Sequence, residues 1–146
     1  MLGSTEFFRS SAQLKKQYDR QFIKMASRYG LTANDIHLLL FLADYPECDT
    51  ARDISERMFL PKSCVSRCVD SLTRQGFLSS REDERDRRIA HLSLLPASSP
   101  LIEQGRRIRQ DFFALMCCGF SPEEYRQLDR LTEKISNNLQ EAFHYD

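Results

Sequence analysis

The sequence predicts a mainly α-helical protein with one small β-hairpin, and three observations lead to this fold class. Apolar residues recur at helical spacing over most of the chain, and glycine, proline or N-cap residues separate these stretches. Two short helical stretches, 51–58 and 61–76, are separated by a tight turn. Two strand-like stretches, 77–81 and 89–94, then flank a charged tip. This order of elements defines a winged helix-turn-helix.

Composition is typical of one soluble domain, or of one subunit of an oligomer. The chain has 146 residues, of which 41% are hydrophobic and 29% charged. No run of about 18 apolar residues is present, and the first residues lack the pattern of a signal peptide. Five cysteines, an odd number without metal or disulfide spacing, indicate a reducing compartment. We therefore expect a cytoplasmic protein with no membrane contact, no metal and no cofactor.

The first helix is predicted over residues 4–29 and ends at Gly30. Its apolar stripe consists of Phe7, Phe8, Leu14, Tyr18, Phe22, Met25 and Tyr29. A helix of this length needs a partner surface. That surface is either the core of its own subunit or a second subunit, and both alternatives stay open.

The second helix begins with Thr32 as N-cap and Asp35 at the third helical position, and it ends before Pro46. It is apolar nearly all round, so we expect it to be buried. The third helix runs from Ala51 to Met58 after a cap at Asp49 and Thr50, with Ala51, Ile54 and Met58 inward. Thr50 and the neighbouring amides can hold a phosphate at this helix N-terminus.

The fourth helix has the features of a recognition helix, with Pro61 predicted at the first helical position and Gly76 just past the end. Val65, Val69 and Leu72 share one face, with Cys68 beside them. The opposite face mixes short hydroxyls with long cations, which can reach base edges and phosphates. It carries Lys62, Ser63, Ser66, Arg67, Ser71 and Arg74.

The net charge of zero does not indicate DNA binding, because DNA-binding domains are usually basic. The position of the charges along the chain is therefore the relevant observation. The recognition helix carries three cations, Lys62, Arg67 and Arg74, against Asp70 as its one anion. The hairpin tip, residues 82–88, alternates arginines with carboxylates. A DNA-contacting wing and a solvated charged turn are both open interpretations of that tip.

Two further helices complete the chain. Ser99 and Pro100 are predicted as N-cap and first residue of the fifth helix, which ends near Gly119. Ser121 and Glu124 form the pattern of a capping box at the start of the sixth helix. Its apolar stripe consists of Tyr125, Leu128, Leu131, Ile135, Leu139 and Phe143.

These motifs, taken in order, resemble the multiple-antibiotic-resistance regulator (MarR) family of bacterial repressors. The resemblance rests on the segment 72–78 that ends the recognition helix, on Asp86-Arg87-Arg88 in the wing and on the segment 92–97. It extends upstream to Leu31-Thr32 and 51–56 and downstream to 120–124, so it covers nearly the whole chain. The chain departs from the family pattern at three positions. Leu95 replaces the usual Thr, Ser98 stands where Gly is usual, and Pro100 falls early in the next helix.

The resemblance implies one regulator subunit over residues 1–146. Residues 31–95 would be the winged helix-turn-helix, and 4–30 and 96–146 the dimerisation helices. A homodimer would present two recognition helices about 34 Å apart to a pseudo-palindrome in double-stranded DNA. The implied function is sequence-specific repression, released by a small-molecule effector that the sequence does not identify.

Site residues follow from the motifs. Lys62, Ser63, Ser66 and Arg67 are expected in the major groove, whereas Arg74 contacts a phosphate or forms a surface salt bridge. In the wing, Asp86 would orient a neighbouring arginine, and Arg87 or Arg88 would enter the minor groove. The tip also contributes Arg85.

Three alternatives compete with this interpretation. A redox-sensing regulator would use Cys64 and Cys68, although the peroxide-sensing branch of the family places its reactive cysteine in the first helix, where this chain has none. Cys64 is the better candidate, because a cation cluster and a helix N-terminus would favour its thiolate, whereas Cys68 flanks an apolar stripe. A winged helix without DNA binding would serve protein contacts. An enzyme is not expected, because His37, His91 and His144 look isolated. Zinc sensing through His37 is not expected either, because zinc-sensing members of the family combine such a histidine with a histidine pair in the helix after the wing, and this chain has no pair there.

Overall fold

A computed structural model of the protein describes residues 3–143, so His144 lies outside the described residues. The elements in chain order are α1 (Ser4–Ser27), α2 (Ala33–Asp44), α3 (Ala51–Met58), α4 (Lys62–Arg74), β1 (Leu78–Glu82), β2 (Ala90–Leu94), a 3₁₀ turn (Pro96–Ser98), α5 (Ser99–Met116) and α6 (Pro122–Ala142). The predicted fold class, helices plus a two-stranded hairpin, is confirmed. By internal contacts the chain divides into two compact units between Gln110 and Asp111.

The core of the first unit is built around α2, as its apolar sequence predicts. Ile36, Leu38 and Leu39 are fully buried there. The neighbouring elements each bury apolar side chains in the same cluster: Phe22 from α1, Ile54 from α3, Val65 and Leu72 from α4, Leu78 and Leu92 from the hairpin, and Leu101 from α5. Each such side chain contributes about 1.5–3 kcal/mol of transfer free energy. The core therefore fixes α3, α4 and the hairpin against one support.

The hairpin follows α4 directly. Gly76 takes a left-handed φ of 82°, and the Phe77 amide then donates to the Leu72 carbonyl at 2.9 Å. The strands pair antiparallel with Leu78 opposite Leu94 and Glu82 opposite Ala90. The predicted break at Gly76 is confirmed, and both strands begin one residue later than predicted.

Several predicted helix boundaries are wrong by a few residues. Pro61 is the N-cap of α4 and not its first residue, because its extended ψ of 145° leaves its carbonyl to accept from the Cys64 and Val65 amides. Ser99 is the first residue of α5 and not its cap, because a 3₁₀ turn leads directly into the helix. Helix α1 ends at Ser27, and Ala51 is exposed where an inward side chain was predicted.

The second unit consists of the end of α5 and α6. Ser121 accepts from the Glu124 amide at 3.2 Å, and the Glu124 carboxylate accepts from the Ser121 amide at 2.7 Å, which confirms the capping box. The Tyr125 ring packs against Phe113 and Phe120. Within the described part of α6 no side chain is buried, so its apolar stripe is open in this single chain. Across residues 3–143, no helix combines the length and apolarity that crossing a bilayer requires.

Candidate nucleic-acid interface

Helix α4 separates its side chains as the spacing predicts. Cys64, Val65, Cys68 and Leu72 are buried against the first unit. The predicted reading residues on the other face are exposed: Lys62, Ser63, Ser66, Arg67 and Arg74. The structure thus brings the first four together on the N-terminal two turns of one exposed face, and Arg74 lies at the helix C-terminus.

The N-terminus of α4 is open to an anion. Pro61 has no hydrogen-bonding side chain, and this helix end has no side-chain cap in the structure. The first amides of a helix have no acceptor within the helix, and they form a site where phosphate oxygens bind well. Phosphate contact here would set the register of the exposed face on a duplex.

Thr50 has a structural role that the sequence predicted correctly. Its hydroxyl oxygen accepts from the Asp53 amide at 3.2 Å and caps α3. A capping hydroxyl keeps its own proton, which it can donate to a phosphate. Both roles are compatible with the position of Thr50 at the start of the helix-turn-helix.

The wing tip is folded by two aspartates. Asp83 accepts from the amides of Arg85 and Asp86 at 2.9 and 3.0 Å, which closes the turn. Asp86 accepts from the Arg88 amide and, through both carboxylate oxygens, from the Arg88 guanidinium at 3.1 and 3.0 Å. The Arg88 guanidinium beside Asp86 lowers the pKa of that carboxyl. Arg85, Arg87 and Arg88 are all exposed at this tip.

His91 belongs to a constellation that the sequence did not reveal, and the prediction that it is isolated is wrong. Its Nδ1 lies 2.9 Å from Asp49 Oδ1, and its Nε2 lies 2.8 Å from Asp83 Oδ1. Hydrogen bonds to Asp83 and then Asp49 raise the pKa of His91, and the bond from His91 lowers the pKa of Asp83. The Leu92 amide also donates to the Asp49 carbonyl at 2.8 Å. His91 therefore ties the wing turn to the loop before α3.

The two cysteines of α4 point into the core. The side-chain amide of Asn34 donates to Cys64 Sγ at 3.5 Å. Burial, with the neighbouring Asp35 carboxylate, raises the pKa of the Cys68 thiol well above its ordinary value. A raised pKa disfavours the reactive thiolate. These surroundings favour a packing role for Cys68.

His37 is half-buried in contact with α1. Its Nε2 lies 3.1 Å from Asp19 Oδ1, and its ring stacks on Tyr18 with centroids 5.3 Å apart. Burial lowers the pKa of His37 although Asp19 opposes this effect. Among residues 3–143, no three His, Cys, Asp or Glu side chains are arranged to hold a metal ion.

A groove of about 650 Å³ lies within the first unit, between the end of α2, the hairpin base and the first turns of α5. Its wall is formed by Ala43, Leu94, Ser99, Ile102, Glu103, Arg106, Arg107 and Gln110. Beside it, Arg106 and Arg109 donate to Asp44 at 3.2 and 2.8 Å. Burial acts to raise the pKa of Asp44, but these hydrogen bonds outweigh it and hold the pKa below its ordinary value.

Comparison with known proteins confirms the family resemblance. A model described as the MarR family matches residues 29–89. The transcriptional regulator AdcR of Streptococcus pneumoniae is 22% identical over 130 residues, which cover 87% of this chain and 88% of that protein. This relative is named as a transcriptional regulator.

Two solved structures show the same fold. A putative MarR family regulator from Listeria monocytogenes in complex with a 26mer DNA has a TM-score of 0.83 at 13% identity, covering 92% of this chain and 89% of its own. Bordetella bronchiseptica BpsR, whose DNA binding is regulated by 6-hydroxynicotinic acid, has a TM-score of 0.73 at 19% identity, covering 90% of this chain and 98% of its own.

Proposed function

We propose that this chain is a transcriptional regulator of the MarR family, which binds a pseudo-palindromic operator as a homodimer and acts as a repressor. The observation that carries the proposal is the exposed face of α4. There Lys62, Ser63, Ser66 and Arg67 converge beside a helix N-terminus that no side chain caps. N-terminal residues of a recognition helix contact base edges in helix-turn-helix complexes.

In the proposed complex α4 lies in the major groove. Arg67 donates to a guanine and Lys62 to a base edge or phosphate, while Ser63 and Ser66 bond bases or phosphates. The wing adds Arg85, Arg87 and Arg88 to the flanking minor groove, with Asp86 orienting Arg88. Thr50 and Arg74 contact phosphates at either side of the helix-turn-helix.

The homodimer is supported by apolar side chains that the single chain leaves open. In α6, Leu131, Ile135 and Leu139 are each about half exposed. In α1, Phe7 and Phe8 are also exposed. Burying such stripes between two copies removes apolar surface from water at about 25 cal/mol per Å². The resulting two-fold symmetry matches a pseudo-palindromic operator.

Release by a small-molecule effector is supported by the groove beside α2 and α5. Its volume of about 650 Å³ suits an organic molecule. Arg106 and Arg107 line it together with the apolar Ile102 and Leu94. The two recognition helices of the dimer can lie at different separations. An effector that binds the dimer better at a separation unsuited to the operator would favour that arrangement and weaken operator binding. BpsR, regulated by 6-hydroxynicotinic acid, offers a parallel.

Fluorescence anisotropy with a duplex selected by the protein from a random library tests the proposal. We expect tight binding that falls roughly a thousandfold between 50 and 200 mM salt, because neutralised phosphates release counterions. Arg67→Ala should lose roughly tenfold or more in affinity and relax specificity at one position per half-site. Arg88→Ala should weaken binding to all sequences and reduce the salt slope by about one per contact.

Arg126→Ala is the matched control, because Arg126 is an exposed arginine of α6 paired with Glu123 at 2.7 Å. It should bind as tightly as the wild type. If no duplex is enriched, or if affinity is insensitive to salt, the chain uses its winged helix for protein contacts instead. If the wild type binds the duplex tightly and the Arg67 and Arg88 variants bind with the same affinity, the proposed DNA-contacting surface of α4 and the wing is wrong.

A further inference from the structure

Phe59, in the turn between α3 and α4, has a backbone conformation that phenylalanine rarely adopts. Its φ of 55° and ψ of 41° are left-handed. Among residues 3–143 it is the one non-glycine residue with a positive φ. The clash of Cβ with the backbone makes this region unfavourable for any residue except glycine, and asparagine tolerates it best among the others. A glycine would serve this turn without strain.

The surrounding turn holds Phe59 in place. The Phe59 and Leu60 amides both donate to the Ser55 carbonyl, the latter at 3.2 Å, and the Ser55 hydroxyl donates to the Leu60 carbonyl at 2.7 Å. The flanking Met58 and Leu60 side chains pack against the core. The turn therefore fixes the backbone on both sides of Phe59 and directs its ring outward.

The ring of Phe59 is not used in packing. It is 79% exposed, more than any other large apolar side chain of the described residues. The next two, Leu115 and Phe8, lie on α5 and α1, helices that the proposed dimer would use. Phe59 lies instead within the winged helix-turn-helix, where neither the core nor the dimer accounts for it. The turn requires the left-handed backbone, but nothing in the fold requires a phenylalanine there, and a strained residue of this kind is characteristic of functional positions.

Phe59 is placed at the edge of the proposed reading surface. It precedes Lys62 by three positions and Ser63 by four, at the N-terminal end of α4, which would enter the major groove in the proposed complex. The hydroxyl and ammonium groups there recognise polar base edges and phosphates. An apolar ring recognises the one apolar group of the major groove, the 5-methyl group of thymine.

We propose that Phe59 reads a thymine methyl group at one position of each operator half-site. The inference rests on the proposed operator binding and assigns a specificity residue within it. A strained turn that presents an apolar side chain to DNA gives up stability for recognition, which explains why a glycine does not occupy the position.

The test is a double-mutant cycle between protein and DNA. The first arm compares the wild type with Phe59→Asn, whose side chain tolerates the left-handed backbone but is polar. The second arm replaces each thymine of the selected duplex by deoxyuridine, which lacks only the methyl group. We expect the wild type to lose about fourfold in affinity at one position per half-site, the effect of one buried methyl group.

Phe59→Asn should bind the thymine duplex several-fold more weakly than the wild type does. At the one position that Phe59 contacts, replacing thymine by deoxyuridine should leave the affinity of this variant unchanged. Phe59→Leu should retain the methyl preference, because an aliphatic side chain makes the same apolar contact. Thermal unfolding provides the readout for strain. Phe59→Gly should unfold at a temperature equal to or about 3 °C above that of the wild type while binding DNA more weakly.

Three results would overturn the inference. One is Phe59→Asn binding as tightly as the wild type, and another is an unchanged deoxyuridine profile in this variant. The third is a change of oligomeric state in Phe59→Asn without a change in affinity, which would assign the ring to a protein contact. Operator binding by the wild type separates these results from a failure of the proposed function; if the wild type binds no duplex, both proposals are wrong.

Discussion

At the scale of single residues, two histidines of the first unit experience opposite electrostatic environments. His37 is half-buried against α1, and the partial loss of solvation lowers its pKa. His91 is about one quarter exposed and lies between two carboxylates, which raise its pKa. Folding therefore favours the neutral form of His37 and the charged form of His91. The charged form of His91 stabilises the connection between the wing turn and the loop before α3.

Stability should depend on pH through His91 with a defined sign. A raised folded pKa gives a contribution that is complete below the ordinary histidine pKa of about 6.5 and is lost as pH rises through the folded value. His91→Asn should therefore be less stable than the wild type at about pH 5.5, and the difference should narrow as pH rises to about 9. Urea unfolding midpoints of both proteins at a series of pH values measure this difference in stability. Asp83 stays ionised over the whole range, because its pKa is lowered.

His37→Asn is the control, because a lowered folded pKa has the opposite consequence. The contribution of His37 is present above the ordinary histidine pKa and is lost as pH falls through the folded value. A difference between wild type and His91→Asn that widens with rising pH would contradict the assigned charge of His91.

At the scale of elements, α3 depends on its cap more than the longer helices do. It has eight residues, and helices this short are unstable alone. Ile54 is the one fully buried side chain of α3, and Met58 adds a partly buried contact with the core, so packing contributes little more than two side chains. The hydrogen bond from the Asp53 amide to Thr50 therefore supports the first helix of the helix-turn-helix.

Thr50→Ala should lower the free energy of unfolding by about 1 kcal/mol, the usual effect of a lost N-cap. Thr50→Ser keeps a hydroxyl at the same position and should restore most of it. Urea unfolding gives both values, and anisotropy then shows whether DNA affinity follows. Equal stability of Thr50→Ala and the wild type would mean that the cap contributes nothing in solution.

At the scale of the whole molecule, the cations proposed to contact DNA and the open apolar stripe of α6 lie on different helices. The net charge is zero, yet Lys62, Arg67 and Arg74 stand on one face of α4. The described residues of α6 instead present apolar side chains at helical spacing, none of them buried. Exposed apolar stripes of this kind mark contacts with another molecule.

Replacing Leu131 and Ile135 together by glutamate should convert the proposed dimer to a monomer, because each subunit would bury two charges at the interface. Sedimentation equilibrium measures the mass, and anisotropy should show operator binding lost with the second reading head. Lys134→Glu changes the net charge of each subunit by the same amount on the same helix, and this variant should remain dimeric. A double variant that keeps the dimer mass would place the interface elsewhere.

The sequence by itself determined the elements whose signals are local. Thr32 with Asp35 and Ser121 with Glu124 cap their helices through bonds that span three residues, so their spacing specifies them. Gly76 supplies a left-handed turn that its own lack of Cβ allows. The exposed face of α4 followed from the helical period alone.

Only the tertiary structure decided the contacts between distant segments. Asp49 and His91 are 42 positions apart, and nothing in either neighbourhood marks them as partners. The sequence does not distinguish Phe59 from other apolar residues. Its left-handed backbone and exposed ring result from the packing of Met58 and Leu60 in the core. Local signals specify where a helix begins and ends, whereas the meeting of side chains across elements depends on how the whole core packs.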